Sequence, residues 1–398
     1  MGGSGAAMRI AVIGAGVGGL VFAAGTQADG HEVTVFERRR SSDPAGAGLT
    51  LFGNAFAALD ILGLGDAVRD VSSSTIATMR AGQRTPSGAW LTTLPPSAVA
   101  SMRSIHRAQL HRALIDQLAP TTVRTGRTAT VPSDGSPRVA AGGEFEEFDL
   151  VVAADGIRSR TRTGLGLDTG LRYAGCTAWR GITAEPVDIR EEAGETWGRG
   201  RIFGVVPLRD GRIYWFATAN APAGTRFEDE HGTVLRLFED WHDPIPACVR
   251  ATPAGAVIRH DLHDLAEPLP SFVRGRTALL GDAAHAMTPN LGQGAGQAIE
   301  DAATLAVLLR GCGEGGLDTA LADYSRLRRQ RTRAIARRSR MAGRVAQAEG
   351  RLSASLRDAA LRLTPGAVLS GLSRRMQDWA APTPSRLAPA HHPGDAVV

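Results

Sequence analysis

The stretch IAVIGAGVGGLVFAA, Ile10 to Ala24, decides the fold. It reads as an apolar strand, a glycine turn and a helix. After Gly30, a suitable helix C-cap, comes a second strand, HEVTVFE. Both strands are apolar on both faces, the pattern of a parallel sheet covered by helices. Gly14, Gly16 and Gly19 satisfy G-x-G-x-x-G between strand and helix. The first permits the tight turn, the second lets backbone approach a pyrophosphate, and the third lets helix pack closely on strand. The helix start then offers free N–H groups and its positive dipole end to phosphates. Glu37 ends the second strand, 21 residues after Gly16, where a carboxylate can take both hydroxyls of an adenosine ribose. Val17, Gly18 and Arg38, beside these positions, join the cofactor-binding set. The spacing specifies an ADP-containing dinucleotide and leaves open whether it is a nicotinamide or a flavin.

The bulk numbers describe an ordinary globular chain: 398 residues, 43% hydrophobic and 21% charged. No run of about 18 apolar residues is present, so stable membrane insertion is not expected. Three separated cysteines, Cys176, Cys248 and Cys312, make no metal-ligand spacing and suit a reducing cytoplasm. Every basic side chain is arginine. The basic excess is concentrated from Tyr324 to Arg344, where Tyr324, Leu327, Ile335, Met341 and Val345 recur at helical intervals. That predicts an amphipathic helix with a solvated arginine face, and no nucleic-acid partner. Residues 1–7 read as a cloning remnant or disordered lead.

Two later motifs discriminate between cofactors. DGIRSRTR, Asp155 to Arg162, and GDAAHAMTPNLGQGAGQAIEDA, Gly281 to Ala302, each follow a strand. Asp282 stands where a strand ends and the chain turns, placed to bond hydroxyls of a sugar-like chain. Gly292, Gly294 and Gly296 bring bare amides to the start of the next helix, a setting suited to negative charge. A reduced flavin carries such charge at its pyrimidine edge; nicotinamide does not.

The three motifs in this order resemble the single-component FAD-dependent aromatic-ring monooxygenases, the class of p-hydroxybenzoate, salicylate and urate hydroxylases. The resemblance covers roughly Met8 to Val345. It implies FAD as cofactor, NADPH or NADH as transient reductant and O2 as cosubstrate. It also implies a flavin C4a-hydroperoxide that hydroxylates an aromatic or polyketide-like small molecule. Carried over by position, Glu37 would hold the ribose, Arg107 would contact FAD and Asp282 the ribityl chain. Gly292, Gln293, Gly294 and Ala295 would face the pyrimidine edge. Asp155 to Arg162 matches a motif that handles both FAD and NAD(P)H. Pro289 would lie near the flavin's reactive carbon. GAGLTL, Gly46 to Leu51 and including Gly48, resembles the loop over the isoalloxazine. Many relatives carry Asn or another side chain where this chain has Gly296, so no side-chain bond is expected there.

The fold class expected is α/β. A Rossmann-type FAD-binding domain takes 8–75, 103–169 and 276–316. A mainly antiparallel substrate domain takes 76–102 and 170–275. C-terminal helices follow over 317–376, then a flexible tail over 377–398. In the substrate domain Trp179, Phe203 and Trp215 are candidates for an aromatic pocket, weighed against ordinary core, and Arg180 or Arg201 for orienting an anionic substrate. His285 reads as packing rather than as a base, and His106 as a neighbour of Arg107. Arg158, Arg160 and Arg162 divide between reductant phosphates and surface ion pairs. No metal site is expected. Epoxidation, Baeyer–Villiger insertion or antibiotic inactivation would use the same motifs. An isoprenoid-type flavin reductase or a non-catalytic FAD-binding protein is the less favoured alternative. A halogenase is disfavoured, because W-x-W-x-I-P and lysine are both missing.

Overall fold

The computed structural model describes residues 7–40, 47–310, 312 and 315–382. The expected lead (except residue 7), Gly46 of the flavin loop and the tail beyond residue 382 lie outside the described residues.

The opening segment folds as β1 (Arg9–Ile13), α1 (Val17–Ala28) and β2 (Glu32–Glu37). Ile10, Ala11 and Val12 of β1 are fully buried, as strands covered on both faces must be. Gly30, at φ +91°, ends the helix as expected. Next come β3 (Gly48–Leu51), α2 (Gly53–Ile61), β4 (Arg80–Arg84), β5 (Trp90–Thr93), β6 (Arg103–His106), α3 (Arg107–Ile115), β7 (Val123–Thr125) and β8 (Leu150–Ala153). The second lobe supplies β9 (Leu171–Ile182), β10 (Glu192–Trp197), β11 (Arg201–Pro207), β12 (Ile213–Asn220), α4 (Glu230–Phe238), α5 (Ile245–Arg250) and β13 (Ile258–Leu265). The chain then returns through β14 (Val273–Arg274) and β15 (Thr277–Leu279) to α6 (Gly294–Arg310). It finishes with α7 (Leu317–Ala346), α8 (Arg351–Leu363) and α9 (Gly366–Gln377).

The first large sheet has the order β14-β15-β8-β1-β2-β7. It is parallel except for the β14–β15 edge pair. The ends of β1, β8 and β15 therefore deliver the glycine turn, Asp155 and Asp282 to one rim, the place where open α/β sheets bind ligands. The second sheet has the order β13-β9-β12-β11-β10-β4-β5, antiparallel apart from β10 with β4. The fold class is thus the mixed α/β arrangement expected. A small sheet of β3, β6 and Ser72–Ser73 lies between the two.

The arginine-rich helix departs from expectation in two ways. Arg328, on its supposedly solvated side, is 2% exposed and ion-paired to Glu300 and Asp301 of α6. Met341 and Val345, which its apolar periodicity points inward, are exposed. Tyr324 and Ile335 are buried as expected. The first residues of the anticipated tail are held: Trp379 packs on the main core and the Asp378 carbonyl accepts from Arg331 at 2.8 Å.

Candidate active site

The glycine turn is shaped by exclusion. Gly14 has φ +106°, and a Cβ there would lie 2.5 Å from the Ala154 carbonyl oxygen. A Cβ on Gly19 would meet the Gly14 oxygen at 2.2 Å, so this glycine sets how closely α1 approaches β1. Gly16, by contrast, has nothing within 4 Å and caps α1 with no side chain of its own. Its neighbour Gly18 is a packing residue, 2.5 Å from Leu280 if given a Cβ, and Val17 sits in the same core. His111 of α3 steadies the turn from behind, its Nε2 3.0 Å from the Ala15 carbonyl. That histidine escaped sequence reading because its partner is remote in the chain.

Glu37 is buried, yet it is a carboxylate. Burial pushes its pKa up, but backbone N–H bonds from Arg39 and Ala15 and the Arg39 charge outweigh this and hold it below the usual range. Its Oε2 accepts from Ala15 at 3.0 Å and its Oε1 from Arg39 at 2.9 Å. Arg39 is the arginine that touches it, while Arg38, a candidate for the cofactor, is exposed.

At the next strand end, Asp155 Oδ2 accepts from the Thr161 amide and hydroxyl, each at 3.1 Å. Its Oδ1 is buried with no partner among the described residues, an acceptor facing a missing donor. Ser159 is the N-cap of the helix that follows, and Asp155 holds the Thr161 amide of its first turn. Arg162 resolves to structure: it is 1% exposed, paired with Asp168 at 2.8 Å, and it donates to the Ile157 and Ala283 carbonyls. Arg158 and Arg160 are exposed.

Asp282 follows Gly281 (φ +64°) at the end of β15 and is open to the rim. His285 is buried and bonded to Asp301, in keeping with packing rather than base chemistry. His106 caps α3, accepting from the Ala108 amide at 3.1 Å. Arg107, the first residue of that helix, is exposed and lies within electrostatic reach of several charged groups. Burial lowers its pKa, opposed by Asp282 and reinforced by Arg180 and Arg39, with Tyr214 also near. Arg39 and Asp282 follow strands of the first large sheet and Arg180 and Tyr214 lie on strands of the second, so Arg107 marks the junction of the two lobes.

Pro289 begins a short turn ending at Gly292 (φ +63°), where a Cβ would come within 3.2 Å of the Phe52 ring. Gly294 has nothing within 4 Å, and the Gly294, Ala295 and Gly296 amides form the first turn of α6, where intrahelical acceptors are lacking. Beneath them lies a buried polar network. Asn54 of α2 donates to Gln293 at 3.0 Å and to Glu300 at 2.6 Å, and its amide lies 3.4 Å from where a Gly296 Cβ would be. The space at Gly296 is therefore occupied by an asparagine from another helix. Arg328 bonds Glu300 at 2.7 Å and Gln297 at 2.8 Å, and Asp301 accepts from the Gly281 amide at 2.9 Å. Burial raises the Asp301 pKa, but His285 and Arg328 overcome it, so the carboxylate stays charged. One ion network thus fixes both the Asp282 turn and the amide turn.

The second sheet presents two faces. Arg180 stands opposite Phe216, and Tyr214 opposite Ile182 and Val206; these side chains face the nucleotide lobe. The Tyr214 ring lies against β3, where a Gly48 Cβ would fall 2.3 Å from it. Burial raises the Tyr214 pKa against the pull of Arg180 and Arg107, so its phenol stays neutral. Arg180 forms no ion pair with any described residue. Trp179, Phe203 and Trp215 point the other way, into the core against α4 and α5. Phe203 stacks on Trp215 with centroids 5.4 Å apart, Trp215 donates to Thr252, and Trp179 donates to Glu230. Arg201 shares that far face and donates to the Leu237 carbonyl at 2.7 Å. The structure therefore does not bring the candidates Phe203, Trp215, Trp179 and Arg201 to the rim; it brings Tyr214 and Phe216, which sequence reading passed over. The reason is register: β12 is apolar at nearly every position, so alternation could not say which half faces inward.

The open spaces at Gly16 and Gly294, the orphaned Asp155 oxygen and the charged Glu37 fit an ADP-containing flavin with a sugar-alcohol tether. Among the described residues no cluster suited to a metal ion exists, and no helix is long and apolar enough to cross a membrane.

The FAD binding domain family matches residues 7–339. Aurachin C monooxygenase/isomerase of Stigmatella aurantiaca is 35% identical over 92% of this chain and 97% of its own length. The 2-heptyl-3-hydroxy-4(1H)-quinolone synthase of Pseudomonas aeruginosa is 34% identical over 93% and 97%. The crystal structure of Klebsiella pneumoniae HpxO with FAD and uric acid superposes with a TM-score of 0.84 at 27% identity, covering 93% of this chain and 96% of that one.

Proposed function

The chain belongs to the FAD binding domain family, and from that premise we propose that it is a flavin-dependent monooxygenase that hydroxylates a small aromatic substrate using NAD(P)H and O2. Bound FAD supplies hydride acceptance and oxygen activation. The protein's own residues do the rest. The glycine turn and the start of α1 bind the pyrophosphate, Glu37 the adenosine ribose, and Asp155 and Asp282 the hydroxylated tether. The amides opening α6 supply positive potential for charge on the ring's pyrimidine edge, held rigid by the Asn54–Glu300–Arg328 network. Pro289, Gly292 and Gln293 border the reacting region, and Arg107 bridges cofactor and substrate lobes.

The observation that carries this reading is the packing of the second sheet's Tyr214 ring against Gly48 of β3, with Arg107 within electrostatic reach of Asp282, Arg180 and Tyr214. Arg180, lacking an ion-pair partner among the described residues, orients an anionic or carbonyl oxygen of the substrate. Tyr214 remains a neutral donor, and Phe216 covers the apolar ring. Heterocycles bearing a ring carbonyl, such as 4(1H)-quinolones and uric acid, meet that demand, as does salicylate. A panel of these is expected to yield one compound that accelerates NAD(P)H consumption and gains one oxygen atom by mass spectrometry. A compound reduced without O2 would contradict the proposal.

A further inference from the structure

We infer that the face formed by α8, α9 and the last turns of α7 seats reversibly on an anionic lipid bilayer. Helices of a globular protein bury their apolar stripe; α8 does the reverse. Its inward side holds Ala354 and Arg357, and Arg357 donates to the Gly198 and Ala346 carbonyls, each at 2.9 Å. Its apolar stripe, Leu352, Leu356 and Leu363, points to solvent, with Leu363 81% exposed. On α9, Val368 and Leu372 are one turn apart and exposed, as are Met341 and Val345 on α7.

Charge selects the occupant. From Arg344 to Asp378 the exposed charges are five arginines against two acids, Glu349 and Asp378. Pairing with a second copy would set these arginines against each other across a two-fold axis. A protein partner would look for aromatic anchors, and none of the large hydrophobic residues exposed on these helices is aromatic. Aliphatic side chains flanked by long cationic ones, which can lie along an interface with their heads among lipid phosphates, match a membrane surface. The inference is independent of the monooxygenase reading.

The test is co-sedimentation of the full-length holoprotein with vesicles of phosphatidylcholine alone or with about 30% phosphatidylglycerol. Binding to the anionic vesicles, weakened at least about tenfold between roughly 0.1 and 0.5 M salt, is expected. Leu356→Glu/Leu363→Glu should weaken it at least about tenfold while the flavin spectrum and Tm stay unchanged. Arg374→Glu/Arg375→Glu should do the same, and carries the test if the leucine variant fails to fold. Wild-type protein that stays in the supernatant overturns the inference, as do variants that bind like wild type. So does a dimer, seen by light scattering, that the leucine substitutions dissociate, since a second copy then covers the face.

Discussion

The two faces of the second sheet are made by the same strands and differ by one residue in register, yet one looks toward the nucleotide lobe and the other is core. Trp179, Phe203 and Trp215 are sealed against α4 and α5, every indole N–H satisfied. Arg180, Tyr214 and Phe216 look toward the nucleotide lobe, and the arginine there has no described ion-pair partner. Packing satisfies the first set completely, whereas the second keeps polar capacity in reserve. In this chain the aromatic content marks core, and the face proposed for the substrate is the one that keeps unspent hydrogen-bonding capacity.

The largest effect is expected on the core side. Trp215→Ala should destabilise the protein by about 3–5 kcal/mol, read as a large fall in Tm, because it empties a fully buried site. If Tm holds and substrate KM rises instead, the faces have been assigned the wrong way round. Gly14→Ala should come next. Its Cβ cannot coexist with the Ala154 carbonyl, and strain of about 1–3 kcal/mol at this φ should weaken FAD binding roughly 10- to 100-fold by fluorescence titration. Arg180→Ala should raise KM roughly 10-fold or more, a lost charge-assisted bond, with Tm nearly unchanged. Phe216→Leu should shift substrate preference by about 1–3 kcal/mol or less, leaving FAD affinity alone.

Acidity sharpens the nucleotide side. Glu37 has a folded pKa below its unfolded value, so its contribution is complete above about pH 4.3 and is lost as pH falls through the lower folded value. FAD affinity should therefore stay flat between pH 8 and 6 as far as Glu37 is concerned, while Glu37→Gln should weaken it at neutral pH. A decline centred near pH 6 that vanishes in this variant would place the carboxyl in the wrong state.

What the sequence made legible was local. The glycine turn, Glu37, Asp155 and the Asp282 turn are each defined by spacing within one strand–turn–helix unit, and each lies on the rim that the parallel sheet exposes. Three features were not legible, for separate reasons. The Arg328–Glu300–Asp301 network joins α6 to α7 through burial that a run of arginines conceals. His111 and Asn54 act on turns far away in the chain. The inward face of β12 could not be chosen because IYWFATAN is apolar on both sides; the contact of Tyr214 with Gly48 fixes which side looks toward the cofactor lobe.

The central claim is that this cleft delivers one atom of molecular oxygen to a substrate held against the Arg180 face. Turnover of an accepted aromatic under 18O2 in ordinary water tests it most directly. The account predicts product heavier by one 18O atom; product carrying only 16O, with label appearing instead when H218O is supplied, would contradict it.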